Sequence, residues 1–523
     1  MDVEDWKVPP EHPDHPTKLG AFDESLDQLD ASISSISLPD VELRTGVDRV
    51  AAAITAMTAL DPESLRGLRV SRFLRQAPWH WWRGELWTLY RFTEAVDTLE
   101  EFWSHSWRLA AWSKYVNVLF LKHAIPASLM SLLCAAVAYV LFLMELLPEW
   151  TQGPYRCSWC SFSAAGAYVL TMLLSCRQAR VFLDIACINQ KDARLKALGL
   201  LSLGAMLKRS KSLLVLWDAT FTTRLWCVFE FGAFLHSHSG TKPRLTVVPP
   251  LQGAVCLGCG CLLATMVIAA HWGEDMVEVK STIGISVAVP SCVLLTHMLR
   301  IYWRSIDVMR QQASSFCFEE AKCVCCERDH PQGFCDKEII ARCIVAWFGS
   351  IQHFEHRVQA EMEVTLAQQL ANAAFSYDRM VQAVIPWIWL QMDVSASHSG
   401  DWTVWTRWVE LSRALTIVFG ILPCIMKFLC HLTFILRAQH CRMWVDVLLS
   451  LVIFVPVPVL FSGAITLEEY IVWFLIDHPY GPVYGSLLSL TMWSTITLLL
   501  WNCLPMLNLT GGAPPTDADQ ERS

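Results

Sequence analysis

The chain has 523 residues, of which 54% are hydrophobic and 17% are charged, and its mean hydropathy is +0.35. Soluble globular proteins are more polar than this, so the composition indicates an integral membrane protein in contact with membrane lipid. The formal net charge of −8 leaves no basic surface, which excludes nucleic acid as a partner.

The first 45 residues are acidic and polar, contain several prolines, and are predicted to be disordered. They contain no signal peptide, so we expect membrane insertion to begin at an internal helix. Residues 46–121 predict N-terminal helices followed by the first strand and first helix of a folded domain. Residues 504–523 predict a second disordered tail.

Seven segments approach or meet the length of about 20 apolar residues that a membrane-spanning helix needs. They are 126–147, 157–176, 251–271, 281–303, 414–436, 443–465 and 482–503. The shorter stretch 380–392 is an eighth candidate. The first four segments predict two hairpins, at 122–176 and 251–303. A cytoplasmic Cys-rich and helical region at 304–379 then precedes a C-terminal membrane region at 380–503.

The distribution of Lys and Arg predicts the orientation, since these residues resist translocation across the membrane. Residues 177–250 contain eleven of them, whereas the connections 148–156 and 271–281 contain one each. We therefore predict that the N-terminus, residues 177–250 and the region after the second hairpin are cytoplasmic. If 380–392 crosses, there are eight crossings and a cytoplasmic C-terminus, which the basic residues at 437–442 favour. Otherwise there are seven crossings and an external C-terminus.

Between the membrane segments, short apolar runs of strand length alternate with helical stretches. The strand candidates are 99–104, 181–184, 213–217 and 245–248, and the helix candidates are 112–121, 200–209 and 224–235. This alternation predicts a parallel sheet that is covered by helices on both faces. Because two membrane helices lie between the first helix and the second strand, both halves of the sheet are expected on the same side of the membrane.

Three motifs in this region resemble one known family. In chain order they are Phe102-Trp103-Ser104-His105-Ser106-Trp107, Val181-Phe182-Leu183-Asp184 and Arg224-Leu225-Trp226-Cys227-Val228-Phe229-Glu230. Together they resemble a Toll/interleukin-receptor (TIR) domain, and the run 183–190 is also similar to the related heterokaryon-incompatibility domain. The resemblance covers residues 98–121 and 177–250 and implies a flavodoxin-like α/β domain split by the first hairpin. The expected architecture is a membrane α-helical bundle of seven or eight transmembrane helices plus this cytoplasmic parallel-sheet domain.

The resemblance implies a catalytic role for Glu230, because family members that hydrolyse NAD carry a glutamate at the end of Trp-Cys-x-x-Glu. Cleavage of the nicotinamide bond builds oxocarbenium character on the ribose, which a fixed carboxylate stabilises. The substrate NAD is expected beyond the carboxyl ends of the strands, where ligands of open parallel sheets bind. The expected substrate-binding residues are Ser104, His105, Ser106, Trp107, Asp184 and Trp226.

Structural roles are the alternative for these residues. Glu230 lies on a helix whose apolar neighbours pack against the sheet, and Asp184 can cap the loop that follows it. Two departures from the family also weaken the enzymatic interpretation. Residues 108–111 contain no acidic residue, and the family's final helix and strand have no clear counterpart. Self-association through the TIR-like domain is expected, and a non-catalytic scaffold that recruits partners remains the alternative function.

A dense cysteine cluster lies in the region 304–379. Thiolates and a neutral imidazole suit tetrahedral zinc, so the cluster predicts a zinc site. Its spacing is not that of a standard zinc finger, and reduced structural thiols or palmitoylated cysteines near the membrane are the alternatives. The expected ligands are Cys323, Cys325, Cys326, His330 and Cys335, with Cys317 and Cys343 close in sequence.

Lys427 lies within the predicted span 414–436, where an ammonium group is unfavourable without a partner. It could mark a conduction pathway, which would make the chain a channel or transporter with a regulatory cytoplasmic domain. Alternatively, it snorkels or pairs with a neighbouring-helix group such as Asp446. The sequence thus predicts a membrane-bound TIR-like signalling protein, with a channel and a scaffold as competing functions.

Overall fold

The residues that the structure, a computed structural model, describes are 46–105, 111–150, 155–174, 177–218, 220–240, 244–271, 284–323, 335–372, 375–398, 403–440, 442–475, 478 and 480–503. The disorder predicted for 1–45 and 504–523 lies outside them. The described residues are mostly helical and form two compact units, each drawn from three stretches of chain. The sheet unit draws on Met1–Tyr115, Ser175–Pro250 and Ser305–Leu370, and the membrane unit on Val116–Leu174, Leu251–Arg304 and Ala371–Ser523.

The strands are β1 (Arg66–Arg69), β2 (Glu94–Ala95), β3 (Glu101–His105), β4 (Arg180–Phe182), β5 (Leu213–Leu216) and β6 (Leu245–Val248). The helices are α1 (Gly46–Thr55), α2 (Val70–Trp82), α3 (Ala111–Leu143), α4 (Trp159–Leu173), α5 (Asp184–Cys187), α6 (Ala193–Leu201), α7 (Leu203–Lys208), α8 (Leu225–Ser237), α9 (Gln252–Ala270), α10 (Val289–Ser314), α11 (Asp336–Phe348), α12 (Ile351–Asn372), α13 (Tyr377–Val384), α14 (Pro386–Ser397), α15 (Thr403–Thr416), α16 (Leu422–Ile435), α17 (Met443–Phe454), α18 (Pro456–Trp473) and α19 (Gly481–Cys503).

The strands form one mixed sheet in the order β2-β1-β4-β3-β5-β6. The four strands β4, β3, β5 and β6 are parallel neighbours, with Phe102 of β3 opposite both Phe182 and Leu213. All four residues of β5 are buried, as expected for a strand that is covered on both faces. The four predicted strands are therefore present and parallel. The structure adds an edge that the sequence patterns did not indicate, in which β1 runs antiparallel to both β4 and β2.

The other edge of the sheet is covered by α12. The side chain of Gln369 accepts a hydrogen bond of 2.8 Å from the Val247 amide and donates one to the Leu245 carbonyl. Four apolar residues at a spacing of four anchor the helix, since all of them are buried: Phe354, Val358, Met362 and Leu366. An edge strand covered in this way cannot pair with another chain. The region predicted as a separate segment, 304–379, thus contributes to the sheet unit as far as Leu370.

The predicted boundary between a helix at 112–121 and a membrane span beginning at residue 126 is wrong. Instead, α3 is one continuous helix of 33 residues with Pro126 inside it, and it supplies residues to both units. Proline lacks an amide hydrogen, but membrane helices tolerate it because neighbouring groups satisfy the freed carbonyl oxygen.

Among the described residues, five helices are long and apolar enough to cross a membrane. They are Trp112–Leu143, Gln252–Ala270, Val404–Ile435, Met443–Trp473 and Gly481–Asn502. These five candidate spans support an integral membrane protein. They correspond to five of the seven segments predicted from the sequence.

The other predicted segments have features that distinguish them from the five. The helix α4 has 15 residues, which extend about 22 Å, and the hydrocarbon core of a bilayer is about 30 Å thick. The helix α10 contains charged residues from Arg300 onwards, including Arg304. The stretch 380–392 is divided between two short helices of eight and 12 residues, α13 and α14. Seven or eight crossings therefore remain a prediction.

Candidate functional site

The carboxyl end of β3 lies against α8. Ser104, the fourth residue of β3, is completely buried, and its hydroxyl group donates a hydrogen bond of 2.6 Å to Oε2 of Glu230. Only 4% of Glu230 is exposed. A carboxylate with so little contact with water depends on hydrogen bonds from the protein. The structure thus joins two of the residues that the sequence singled out, although 126 positions separate them.

The helix α8 is buried on all sides, since every residue from Leu225 to Leu235 is buried. Its motif residues make specific contacts with their neighbours. The indole nitrogen of Trp226 donates a hydrogen bond of 2.9 Å to Asp336 at the start of α11. The thiol of Cys227 donates to the backbone carbonyl of His105 over 3.5 Å. The Trp-Cys-x-x-Glu motif therefore fixes α8 against β3 and α11, besides holding the carboxylate.

His105 and Asp184 lie at the carboxyl ends of two neighbouring strands. His105 ends β3, and Asp184 begins α5 two residues after β4. The His105 Nε2 atom lies 4.0 Å from Oδ1 of Asp184, and both residues are buried. The same carboxylate oxygen accepts a hydrogen bond of 2.7 Å from the adjacent Ile185 amide. Asp184 thus lies beside the carboxyl end of β3, whereas the loop amides of Lys191 and Asp192 donate to Asn189, so the predicted roles of Asp184 stay predictions.

Sequence reasoning missed two charged residues of this site. Asp218 lies two residues after the end of β5, is buried, and accepts hydrogen bonds from the amide and hydroxyl groups of Thr220. Lys114 on α3 lies within electrostatic range of Asp184 and Asp218. The signal for Asp218 was present, because it follows an apolar strand just as Asp184 does.

These residues lie at the point where two successive connections of the chain run to opposite sides of β3. The connection from β3 leads to β4 on one side, and the connection from β4 crosses to β5 on the other side of β3. In open α/β sheets, ligands bind at such a point beyond the carboxyl ends of the strands. The carboxylates of Asp184, Asp218 and Glu230, with Lys114, give this edge mixed charge. Such a site suits a ligand on which positive charge develops during a reaction.

The remaining predicted site residues are only partly described. Ser106 and Trp107, expected to bind substrate, lie outside the described residues, as do Cys325, Cys326 and His330 of the predicted zinc site. Two predicted ligands are described: Cys323 is buried, and Cys335 lies directly before α11. The backbone of Lys322, directly before Cys323, pairs with the backbone of Arg224, which leads into α8. The zinc site at this cluster stays a prediction.

Cys343 has a structural role in the sheet unit. Its thiol donates to the Ala51 carbonyl of α1 over 3.7 Å, and burial raises its pKa to about 12. This contact fastens α11 to α1 within the sheet unit.

Lys427 pairs with a group on a neighbouring helix, as the alternative predicted, but its partner is not Asp446. The Lys427 ammonium group donates a hydrogen bond of 2.5 Å to the Leu500 carbonyl and lies 4.4 Å from the centre of the Trp501 ring. Asp446 is bound by Arg300 and by Arg304 instead, at 2.7 Å and 2.9 Å. Two guanidinium groups compensate one buried carboxylate better than a single distant ammonium group can.

Comparison with known proteins found no match of this chain to a protein-family model, a curated protein or a solved structure. The resemblance to the TIR family therefore rests on the three motifs and their order.

Proposed function

We propose that the chain is a membrane-bound signalling protein whose sheet unit is a TIR-like domain. Two observations support this. Numbered from β3 along the chain, the parallel strands lie in the order second, first, third, fourth, which is the order of flavodoxin-like sheets. In addition, residues from all three motifs lie at one edge of the sheet, with Ser104 bonded to Glu230 and His105 close to Asp184.

Within this proposal, Glu230 promotes hydrolysis of NAD at the edge of the sheet. Water adds to the ribose carbon as its bond to nicotinamide breaks, so the products are nicotinamide, ADP-ribose and a proton. The carboxylate stabilises the positive charge that develops on the ribose. The observation that carries the proposal is the Ser104–Glu230 hydrogen bond, because it holds the carboxylate in one orientation before a substrate binds.

The test measures nicotinamide release from NAD by full-length protein that is purified in detergent and clustered by an antibody against a terminal tag. We expect Glu230→Gln to lower the rate by about 100-fold or more, which is the size of effect that loss of one electrostatic stabiliser produces. The glutamine amide keeps the shape of the side chain and can still accept the hydrogen bond from Ser104. Only the negative charge is removed.

Glu100→Gln is the matched control for this test. Glu100 directly precedes β3, is exposed, and forms a surface ion pair with Lys211 at 2.7 Å. Its substitution should leave the rate unchanged. An unchanged rate for Glu230→Gln, or no nicotinamide from clustered wild-type protein, contradicts catalysis.

A non-catalytic scaffold is the second candidate, and the contacts of α8 favour it. Glu230, Trp226 and Cys227 all have protein partners within the sheet unit, so the motif has a complete structural purpose. A scaffold of this kind acts through self-association of the TIR-like domain. Cross-linking in native membranes should then show dimers or larger assemblies of wild-type protein and of Glu230→Gln alike. Monomers at every expression level would contradict self-association.

Lys427, the residue that motivated the channel hypothesis, is engaged by a backbone carbonyl and an aromatic ring. We therefore do not extend the proposal to conduction.

The orientation proposed for the chain has eight crossings, with both termini and the sheet unit in the cytoplasm. The sequon Asn508-Leu509-Thr510 tests the last part of it, because only a segment on the external side meets the glycosylation machinery. In a eukaryotic expression host, wild-type protein and Asn508→Gln should differ in mass by only the one methylene group of the substitution, with no glycan on either. Loss of a glycan in the variant would establish an external C-terminus and contradict this orientation.

A further inference from the structure

Two cysteines and one carboxylate meet within the membrane unit. Cys157 precedes α4 by two residues, Cys160 is the second residue of α4, and Asp393 lies on α14. All three are completely buried. The two sulfur atoms and a carboxylate oxygen lie within 4.8 Å of one another. Such a set of ligand types, with Cys-x-x-Cys spacing, is typical of zinc sites.

The carboxylate of Asp393 is held in place from two sides. Its oxygens accept hydrogen bonds of 2.9 Å from the amides of Cys160 and Ser161, at the start of α4. The amide of Cys157 donates to the hydroxyl group of Ser397, one turn along α14 from Asp393. The start of α4 is thereby fastened to α14, which holds the three ligand atoms within 4.8 Å of one another.

His271 adds the outer contact that ligand carboxylates in metal sites commonly have. Its Nδ1 lies 2.9 Å from the Val267 carbonyl, which can only accept, so Nδ1 donates there, and the contact of Nε2 with Asp393 needs a second proton, on Nε2 or on the carboxyl group. Its Nε2 lies 3.0 Å from Oδ2 of Asp393, and the histidine is completely buried. A histidine in this position fixes the orientation of the carboxylate rather than binding the ion itself.

Two buried hydroxyl groups beside the cysteines point to a further polar occupant. Ser158 and Ser161 are at most 1% exposed, and their Oγ atoms have no hydrogen-bond partner among the described residues. Buried hydroxyl groups are nearly always satisfied, by protein or by water. A metal-bound water molecule in the fourth tetrahedral position would supply such a partner.

The surroundings of the three ligands favour a tightly held ion. Trp389 and Ala396 of α14 and Ala164 of α4 belong to the same buried apolar cluster as the two cysteines. A low-dielectric shell excludes competing water and strengthens the interaction between a cation and thiolates. Binding also keeps the buried charge constant, because one Zn²⁺ ion replaces the two protons that leave the thiols.

We propose that Cys157, Cys160 and Asp393 bind one zinc ion in the membrane unit, with His271 as the positioning residue for Asp393. Ligand atoms around one zinc ion lie about 3.3–3.8 Å apart, given bond lengths of about 2.0–2.3 Å. Since the ligand atoms lie within 4.8 Å of one another, they need to contract by at most about 1 Å on binding. The site would fasten α4 to α14, and its failure would leave the TIR-like proposal untouched.

The experiment measures zinc by mass spectrometry of full-length protein that is purified in detergent without chelators and titrated with Zn²⁺. We expect one zinc ion per chain to be lost in Cys160→Ser and in Asp393→Asn. Cys261→Ser is the matched control, because Cys261 is an exposed cysteine on α9, and it should keep the ion. Cys323→Ser reports separately on the cytoplasmic cysteine cluster. Full zinc content in Cys160→Ser overturns the proposal.

Two measurements keep the proposal testable if a variant does not fold. In wild-type protein loaded with Co²⁺, we expect the near-ultraviolet charge-transfer absorption of two thiolates, and its absence contradicts the site. Alkylation without reductant, followed by mass spectrometry, should find both thiols reduced after zinc removal. A disulfide between Cys157 and Cys160 overturns the proposal. His271→Gln should retain the ion but release it to a chelator at about 10- to 100-fold lower chelator concentration, as expected for an outer contact.

Discussion

Arg300 of α10 and Asp446 of α17 form a buried ion pair with a distance of 2.7 Å between Nη2 and Oδ1. The guanidinium group also donates to the carbonyl oxygens of Leu436 and Ala438, in the connection between α16 and α17. Each of its three nitrogen atoms therefore donates to an acceptor. One arginine thus joins α10 to the connection and to the helix that follows it.

The first prediction concerns this ion pair. Asp446→Ala leaves a buried guanidinium group without its carboxylate, so we expect the free energy of unfolding to fall by about 3–5 kcal/mol. The change is measured by titrating detergent-solubilised protein with sodium dodecyl sulfate. In the double variant with Arg300→Met, the losses should be less than additive by at least about 0.5 kcal/mol. Lys427→Met and Asp446→Ala should be additive, and a coupling between them would restore the pairing that the sequence suggested.

The second prediction concerns the packing of α8 on α12. A methyl group on Gly232 would overlap the ring of Phe354, which is completely buried. Gly232→Ala should therefore destabilise the protein by about 1–3 kcal/mol, measured by thermal unfolding of the purified protein. Gly240→Ala is the control, since no atom lies within 4 Å of the added methyl group. Phe354→Leu should recover part of the loss in Gly232→Ala. An unfolding temperature of Gly232→Ala equal to that of wild type would mean that α8 and α12 do not pack in this way.

The third prediction is a dependence of stability on acid. Hydrogen bonds from Arg69 and then Arg180 lower the pKa of Glu94 from 4.5 to about 2, and so tie β2, β1 and β4 together. Because the pKa is lower in the folded state, this stabilisation is complete above pH 4.5 and is lost as the pH falls towards 2. The pair is partly exposed, so we expect about 1 kcal/mol. Glu94→Gln should show a smaller loss of stability between pH 4.5 and 2 than wild type. Parallel curves for the two proteins would argue against this coupling.

The fourth prediction concerns the hydrogen bond at the candidate site. Ser104→Ala removes a donor at 2.6 Å from a buried carboxylate, so we expect a loss of about 1.5–3 kcal/mol in thermal unfolding. Ser212→Ala is the control, because its hydroxyl group binds the Glu100 carbonyl near the surface and should contribute less than about 1 kcal/mol. Equal effects of the two substitutions would indicate that Glu230 does not depend on Ser104.

Most of the fold that could be predicted from the sequence was predicted from its apolar runs. Leu213–Leu216 could be predicted as a covered strand, because its short apolar run alternates with helical stretches along the chain. Carboxylates directly after such runs, such as Asp184, could then be predicted at one edge of the sheet, because parallel strands end at the same edge. The five long apolar helices were recognised for the same reason, since length and composition are local properties.

Other features were decided by contacts between residues far apart in the chain. The short strand β1, with sequence Arg-Gly-Leu-Arg, has no apolar run and forms only because β4 and β2 offer backbone partners. The sequence showed that the membrane helices contain acidic and basic side chains. It did not show which of these side chains would form pairs. Hydrophobic burial follows composition and could therefore be predicted locally. A hydrogen bond or an ion pair such as Arg300–Asp446 depends on atoms arriving within about 3 Å, which only the tertiary structure determines.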